Sequence, residues 1–106
     1  MAKYLFCGNY VGDGPKGLLK EGGSIRHAEI DKMVKSMGGT MELFCWAFGE
    51  YDYFMIADMP DPVSAASIAL KVSSSGLVTV KTTVLISPEE MDQVAKKSPA
   101  YRGPGQ

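Results

Sequence analysis

The chain has 106 residues and a mass of 11.4 kDa, room for one domain with one core but not for two. Hydrophobic residues make up 45% of it, enough to fill that core, whereas 11 Lys plus Arg against 12 Asp plus Glu leave a net charge of -1. That balance offers no positive excess to neutralise a phosphate backbone, so nucleic acid is not an expected partner, and no apolar run approaches the roughly 20 residues of a membrane span.

The N-terminal segment, Met1-Ala2-Lys3-Tyr4-Leu5-Phe6, lacks the long apolar stretch of a signal peptide and passes straight into strand-like sequence, so the expected compartment is the cytoplasm. Tyr4 to Val11 is rich in aromatic and β-branched residues and ends in Gly12-Asp13-Gly14-Pro15, which predicts a first strand and a turn. Gly17 to Glu21 offers a helical turn that Gly22-Gly23 interrupts. Ser24 is then the expected N-cap of the main helix, Ile25 to Met37, in which Ile30, Met33, Val34 and Met37 keep the three-and-four spacing of one face. Gly38-Gly39 stops it. Thr40 to Phe48 is an almost unbroken apolar run, Gly49-Glu50-Tyr51-Asp52 reads as a hairpin connection, and Tyr53 to Met59 is a third strand. Pro60-Asp61-Pro62 opens a small-residue helix to about Ser73, capped by Asp61 and burying Ala65, Ile68, Ala69 and Val72. Leu77 to Ile86 alternates β-branched residues with Lys and Thr, a fourth strand. Ser87-Pro88-Glu89-Glu90 starts a short helix to about Lys97, so the domain is expected to occupy residues 1–97 and residues 98–106 to form a flexible tail.

This order predicts an α+β, ferredoxin-like βαββαβ fold: a four-stranded antiparallel sheet in the order 4-1-3-2, both helices on one face, and an extra short C-terminal helix. Strict alternation puts Met41, Leu43, Cys45 and Ala47 on one face of strand two and Phe44, Trp46 and Phe48 on the other. In strand three, Phe54 and Ile56 oppose Tyr53, Met55 and Ala57. Both faces are therefore apolar, and an open apolar face predicts cover by a second copy in a dimeric α/β barrel arrangement. The alternative is that the terminal helix folds back over the sheet. Cys7 and Cys45 lie in apolar strands without CxxC spacing and are expected to be reduced, buried thiols.

The Gly49-Glu50-Tyr51-Asp52 hairpin, the Ser24-Ile25-Arg26 helix start, Gly38-Gly39, and Pro60-Asp61 before the second helix together resemble the GYD domain family, from about Lys3 to Lys97. The resemblance implies a ferredoxin-like domain of small bacterial and archaeal proteins and names no chemistry.

Among candidate site residues, Arg26 falls in the middle of the apolar stripe and is expected to point inward, where a guanidinium needs an anion. The structural expectation is an ion pair with Asp52, with Glu50 also in reach; the functional one is a small anion held by Arg26 and the helix N-terminus, with the Gly12 to Gly23 loop as a lid. His27, the single histidine, is a candidate acid or base. Tyr51 and Asp52 are either a proton-handling pair or hairpin residues. Trp46 and Tyr53, with Phe44 and Phe48, are expected to line an apolar space between sheets. The predicted ligand-binding set is thus Arg26, His27, Trp46, Tyr51, Asp52 and Tyr53. No ligand spacing announces a metal, and the glycines near Gly12 to Gly23 lack the Gly-Lys-Ser/Thr of a phosphate loop, so no cofactor is expected. The expected function is a small-molecule binding or sensing module that forms a homodimer or higher oligomer and takes a small anionic or apolar ligand. Its rivals are a cofactor-independent monooxygenase or isomerase, by fold analogy alone, and a structural oligomer whose inter-sheet space is filled.

Overall fold

In the computed structural model, which describes residues 1–106, the chain forms β1 (Ala2–Gly8), α1 (Gly14–Glu21), α2 (Gly23–Ser36), β2 (Thr40–Trp46), β3 (Tyr53–Met59), α3 (Pro62–Ser74), β4 (Lys81–Leu85) and α4 (Pro88–Lys97). All strand pairs are antiparallel, in the order β2-β3-β1-β4, which is the expected order read from the other edge. The inner strand β3 alternates strictly, with Tyr53, Met55, Ala57 and Met59 buried and the residues between them half-buried. Ile30 and Val34 of α2 and Ala65 and Ile68 of α3 close on Tyr4, Phe6, Met55, Ala57 and Met59 in one cluster, so both helices lie on the same face. Full burial of a side chain such as Phe6 or Val34 contributes about 1.5–3 kcal/mol.

The start of α3 follows the expected capping: the Asp61 carboxylate accepts the Ser64 N–H at 2.7 Å. That backbone hydrogen bond holds the Asp61 carboxyl below its ordinary value, so the cap is complete at neutral pH and is lost as pH falls through the lowered value. The start of α2 differs from expectation. Its N-cap is Gly22, with a φ of 80° that suits glycine, and Ser24 lies inside the helix. The supposed loop before it is largely the eight-residue helix α1, which begins after Asp13 with Pro15 in its first turn and packs on α2.

Strand β2 departs from strict alternation. Its register to β3 shifts between Met41 and Leu43, a bulge that leaves Glu42 without an opposite residue. Met41 thereby joins Phe44 on the helix side, packed against the core, while Leu43 and Cys45 pair with Ile56 and Phe54 on the open side. Phe44 and Tyr53 therefore face the helices rather than a space between sheets, and Phe48 is fully exposed. Glu42 joins Lys3 and Asp58 in a charged cluster at the rim of the open face.

The terminal helix does not fold back. No residue of α4 is buried, and the molecule measures 56 × 33 × 22 Å. Its radius of gyration is 16.9 Å, against about 13 Å for a compact chain of this length, so α4 and the tail form an arm that leaves the body.

The register makes a prediction about the cysteines. Cys7 and Cys45 both stand opposite Phe54, one on each side, so they lie two strands apart on one face, at roughly 9–10 Å from the strand spacing. A disulfide needs α-carbons within about 7 Å. Cys45 is exposed rather than buried as expected, because it lies on the open face of the edge strand β2. Thiol titration of the unreduced, denatured chain is expected to find both free, and in the folded chain Cys45 reacts before the buried Cys7. No free thiol, or the reverse order of reaction, contradicts this register.

Candidate functional site

The site begins where β1 ends. The Asp52 backbone N–H donates to the Gly8 carbonyl at 2.8 Å, its carbonyl accepts from the Ala47 N–H at 2.9 Å, and its carboxylate Oδ2 accepts from the Tyr10 N–H at 2.9 Å. One residue thus joins the end of β1, the end of β2 and the segment beyond β1. On its other side this segment meets the approach to β4: Tyr10 bridges Val78, and the Val11 N–H donates to the Leu77 carbonyl at 2.9 Å. The chains come close enough here to require glycine at position 8, where a Cβ would lie 1.9 Å from the Thr79 carbonyl oxygen.

With its backbone held at both edges, Tyr10 places its ring edge-on to Tyr53 at 6.0 Å, and its hydroxyl accepts from Trp46 Nε1–H at 2.9 Å. Phe44 stacks on Tyr53 at 5.8 Å and meets Trp46 edge-on at 4.8 Å, while His27 meets Phe44 edge-on at 6.2 Å. The Tyr53 hydroxyl donates to the Thr79 carbonyl at 2.7 Å. Burial pushes that phenol well up from its ordinary value, so it remains a proton donor across the physiological range.

Between this aromatic cluster and the two helices runs a narrow cleft of ≈ 40 Å³. Phe44, Tyr53 and Met55 line its sheet side, Ile30 and Met33 of α2 and Ile68 and Val72 of α3 line the helix side, and Tyr10 and Val78 stand at one end. Eleven of its twelve lining residues are hydrophobic, and Arg26 is the one charge. The Arg26 side chain is 33% exposed, and its Nη1 lies 3.9 Å from Glu21 Oε2, too far for a hydrogen bond.

The expected Arg26–Asp52 ion pair is therefore not formed. The Asp52 carboxylate is taken by the Tyr10 amide, and the carboxylate nearest the guanidinium belongs to Glu21, on helix α1, where the sequence predicts only a single helical turn within the Gly12 to Gly23 loop. Of the six predicted residues, Arg26 and Tyr53 line the cleft, and Trp46, His27 and Asp52 brace it by holding the Tyr10 hydroxyl, the Phe44 ring and the Tyr10 backbone. Tyr51 belongs elsewhere. Its ring meets Phe54 edge-on at 6.0 Å and its hydroxyl accepts from Lys81 Nζ at 3.1 Å, both on the open face of the sheet. The Tyr51 hydroxyl is engaged with Lys81 on the open face and the Asp52 carboxylate with the Tyr10 amide, so Tyr51 and Asp52 do not act on a common proton. Sequence reasoning missed Tyr10, Val78 and Val80, which lie outside the regular strands; the one available signal was an aromatic residue just before the Gly12 to Pro15 turn.

No group of three or more His, Cys, Asp or Glu side chains converges where it would hold a metal ion, and no helix is long and apolar enough to cross a membrane. Among known protein families, the GYD domain matches residues 4–95. Comparison with curated proteins and with solved structures returns no match.

The two carboxylate assignments differ in their consequences for stability. Asp52→Ala removes a charged acceptor and leaves a half-buried amide unpaired, an expected loss of about 1.5–3 kcal/mol in denaturant unfolding. Arg26→Met, which keeps the apolar stem and breaks only a long contact to Glu21, is expected to change stability by less than about 0.5 kcal/mol. Equal losses in the two variants would restore the Arg26–Asp52 pair.

Proposed function

The chain belongs to the GYD domain family, and from that premise we propose that it is a small-molecule binding or sensing module that works as a homo-oligomer and holds its ligand in the cleft beside Arg26. The observation that carries this reading is an apolar cleft with a single charge on its wall, and that charge lacks a hydrogen-bonding carboxylate. A folded chain with no use for the space would close it, since packed interiors leave few gaps. An enzymatic role receives less support. The lining contains no His, Asp or Glu, and the Tyr10 and Tyr53 hydroxyls are already engaged in hydrogen bonds. Free thiols accord with a reducing compartment, the cytoplasm.

Two features support the oligomer. The open face of the sheet presents Leu5, Leu43, Phe54, Ile56 and Leu85, with Lys3, Glu42, Asp58 and Lys81 toward its margins. The arm carries the second: α4 has a complete capping box from Ser87 and Glu90, yet Met91 and Val94 are 54% and 47% exposed. An isolated ten-residue helix is marginal in water and needs packing to persist. The body of its own chain does not supply that packing, and the uncovered face of a second copy does. In this assembly the sheet faces meet and each arm lies against the partner.

Two measurements test these readings. Nile red, a neutral apolar dye, is expected to bind saturably, and Val78→Trp, which fills the mouth of the cleft without touching the buried core, is expected to weaken it by about ten-fold or more. Unchanged dye affinity would overturn the cleft as the binding site. In sedimentation at micromolar concentration the full chain is expected as a dimer or larger, and a chain ending at Ile86 as a weaker one; only an 11.4 kDa species from the full chain would overturn the oligomer.

A further inference from the structure

The mouth of the cleft opens into a second, wider space of ≈ 500 Å³, open to solvent, with which it shares Tyr10, Arg26, Val72 and Val78. One wall of this vestibule is α1, through Leu18, Lys20 and Glu21; the other is the last part of α3, through Lys71 and Ser75. The charges facing it are uneven. Lys20, Arg26 and Lys71 oppose the single carboxylate of Glu21, on a chain whose net charge is -1. Neither Lys20 nor Lys71 takes part in an ion pair, and Arg26 reaches Glu21 only at 3.9 Å. Three cations around one concave space, leading into an apolar slot, form an electrostatic funnel for a ligand of opposite charge.

We propose that the ligand is an amphipathic anion, a free small acid whose apolar group enters the cleft while its carboxylate or phosphate is held in the vestibule by Arg26, Lys20 and Lys71. This rests on the cleft being the ligand site, as argued above. The division of character supports it: the slot is narrow and almost wholly apolar and suits the tip of an apolar group, whereas the wider, polar-lined space suits a hydrated head group. Because α1 carries Lys20 and Glu21 and forms one wall, it sets the charge on that side of the head group. The structural alternative is that Lys20 and Lys71 only answer the carbonyl ends of α1 and α3, since each lies in the last turn of its helix.

The test compares two probes with the same apolar body, 4-phenylbutyrate and 4-phenylbutanol, by calorimetry at low and high salt. The acid is expected to bind about ten-fold tighter than the alcohol at low ionic strength, with the gap narrowing as salt rises. The double variant K20Q/K71Q, which leaves Arg26 in place, is expected to remove most of the preference for the acid without lowering the unliganded melting temperature. A lowered melting temperature with the acid preference intact would show that the lysines serve the helices alone and overturn their assignment. Equal binding of acid and alcohol by the natural chain would overturn the head-group assignment and leave the cleft reading standing, whereas binding of neither probe would overturn both. Vesicles containing phosphatidylglycerol separate a free acid from a bilayer head group: no cosedimentation is expected, and cosedimentation would overturn the free-acid assignment.

Discussion

The hydrogen bond from the Tyr10 amide to the Asp52 carboxylate is the contact on which the site depends. Regular pairing of β1 ends at Gly8, and the chain beyond it runs toward a glycine-rich turn. Without an acceptor there, the Tyr10 amide would turn to water and the segment would be held only on the side toward β4. Asp52 prevents this with three bonds from one residue, its amide to Gly8, its carbonyl to Ala47 and its carboxylate to Tyr10. Once the Tyr10 backbone is fixed, its hydroxyl can receive the Trp46 indole and its ring can close the end of the cleft against Tyr53. A carboxylate bonded to a backbone amide makes one of the stronger kinds of protein hydrogen bond, so the arrangement is stiff as well as stable.

The same strands divide two tasks between their faces. The bulge at Glu42 sets the division, because one extra residue moves Met41 to the helix side and keeps Leu43 and Cys45 outward, so the core and the open face each receive a continuous apolar set. Had β2 run without a bulge, the residues on one side of it would have exchanged faces. The helix side holds both the core and the cleft, which leaves the open side free for the proposed assembly without obstructing the proposed ligand site.

Much of the fold was legible because its signals are local. The stripe of Ile30, Met33, Val34 and Met37, the Asp61 cap and the Ser87 to Glu90 helix start depend only on neighbours along the chain, and so did the hairpin that brings β2 beside β3. The sheet order followed from the order of these elements. The candidate site was legible only in part. Arg26 was placed correctly on the inward face of its helix, but its partner was not, because the competing donor for the Asp52 carboxylate is a backbone amide 42 residues away, and backbone amides leave no mark on a sequence. The bulge was hidden for a similar reason: an apolar run reads the same with or without a skipped residue. Helix α1 was obscured by Gly14 and Gly17, poor helix formers that a Pro at its start and packing on α2 offset. Lys20 and Lys71 acquire a common role only once α1 and the end of α3 are seen to face one space.

Amide hydrogen exchange at Tyr10 measures the central contact directly. If the Asp52 carboxylate holds this amide as part of the sheet, its protection should match that of the Phe6 amide within β1, although the regular strand ladder stops at Gly8. Exchange at the rate of an unprotected loop residue such as Gly49 would contradict the account, since an amide open to water leaves the Tyr10 ring, and with it the end of the cleft, without a fixed position.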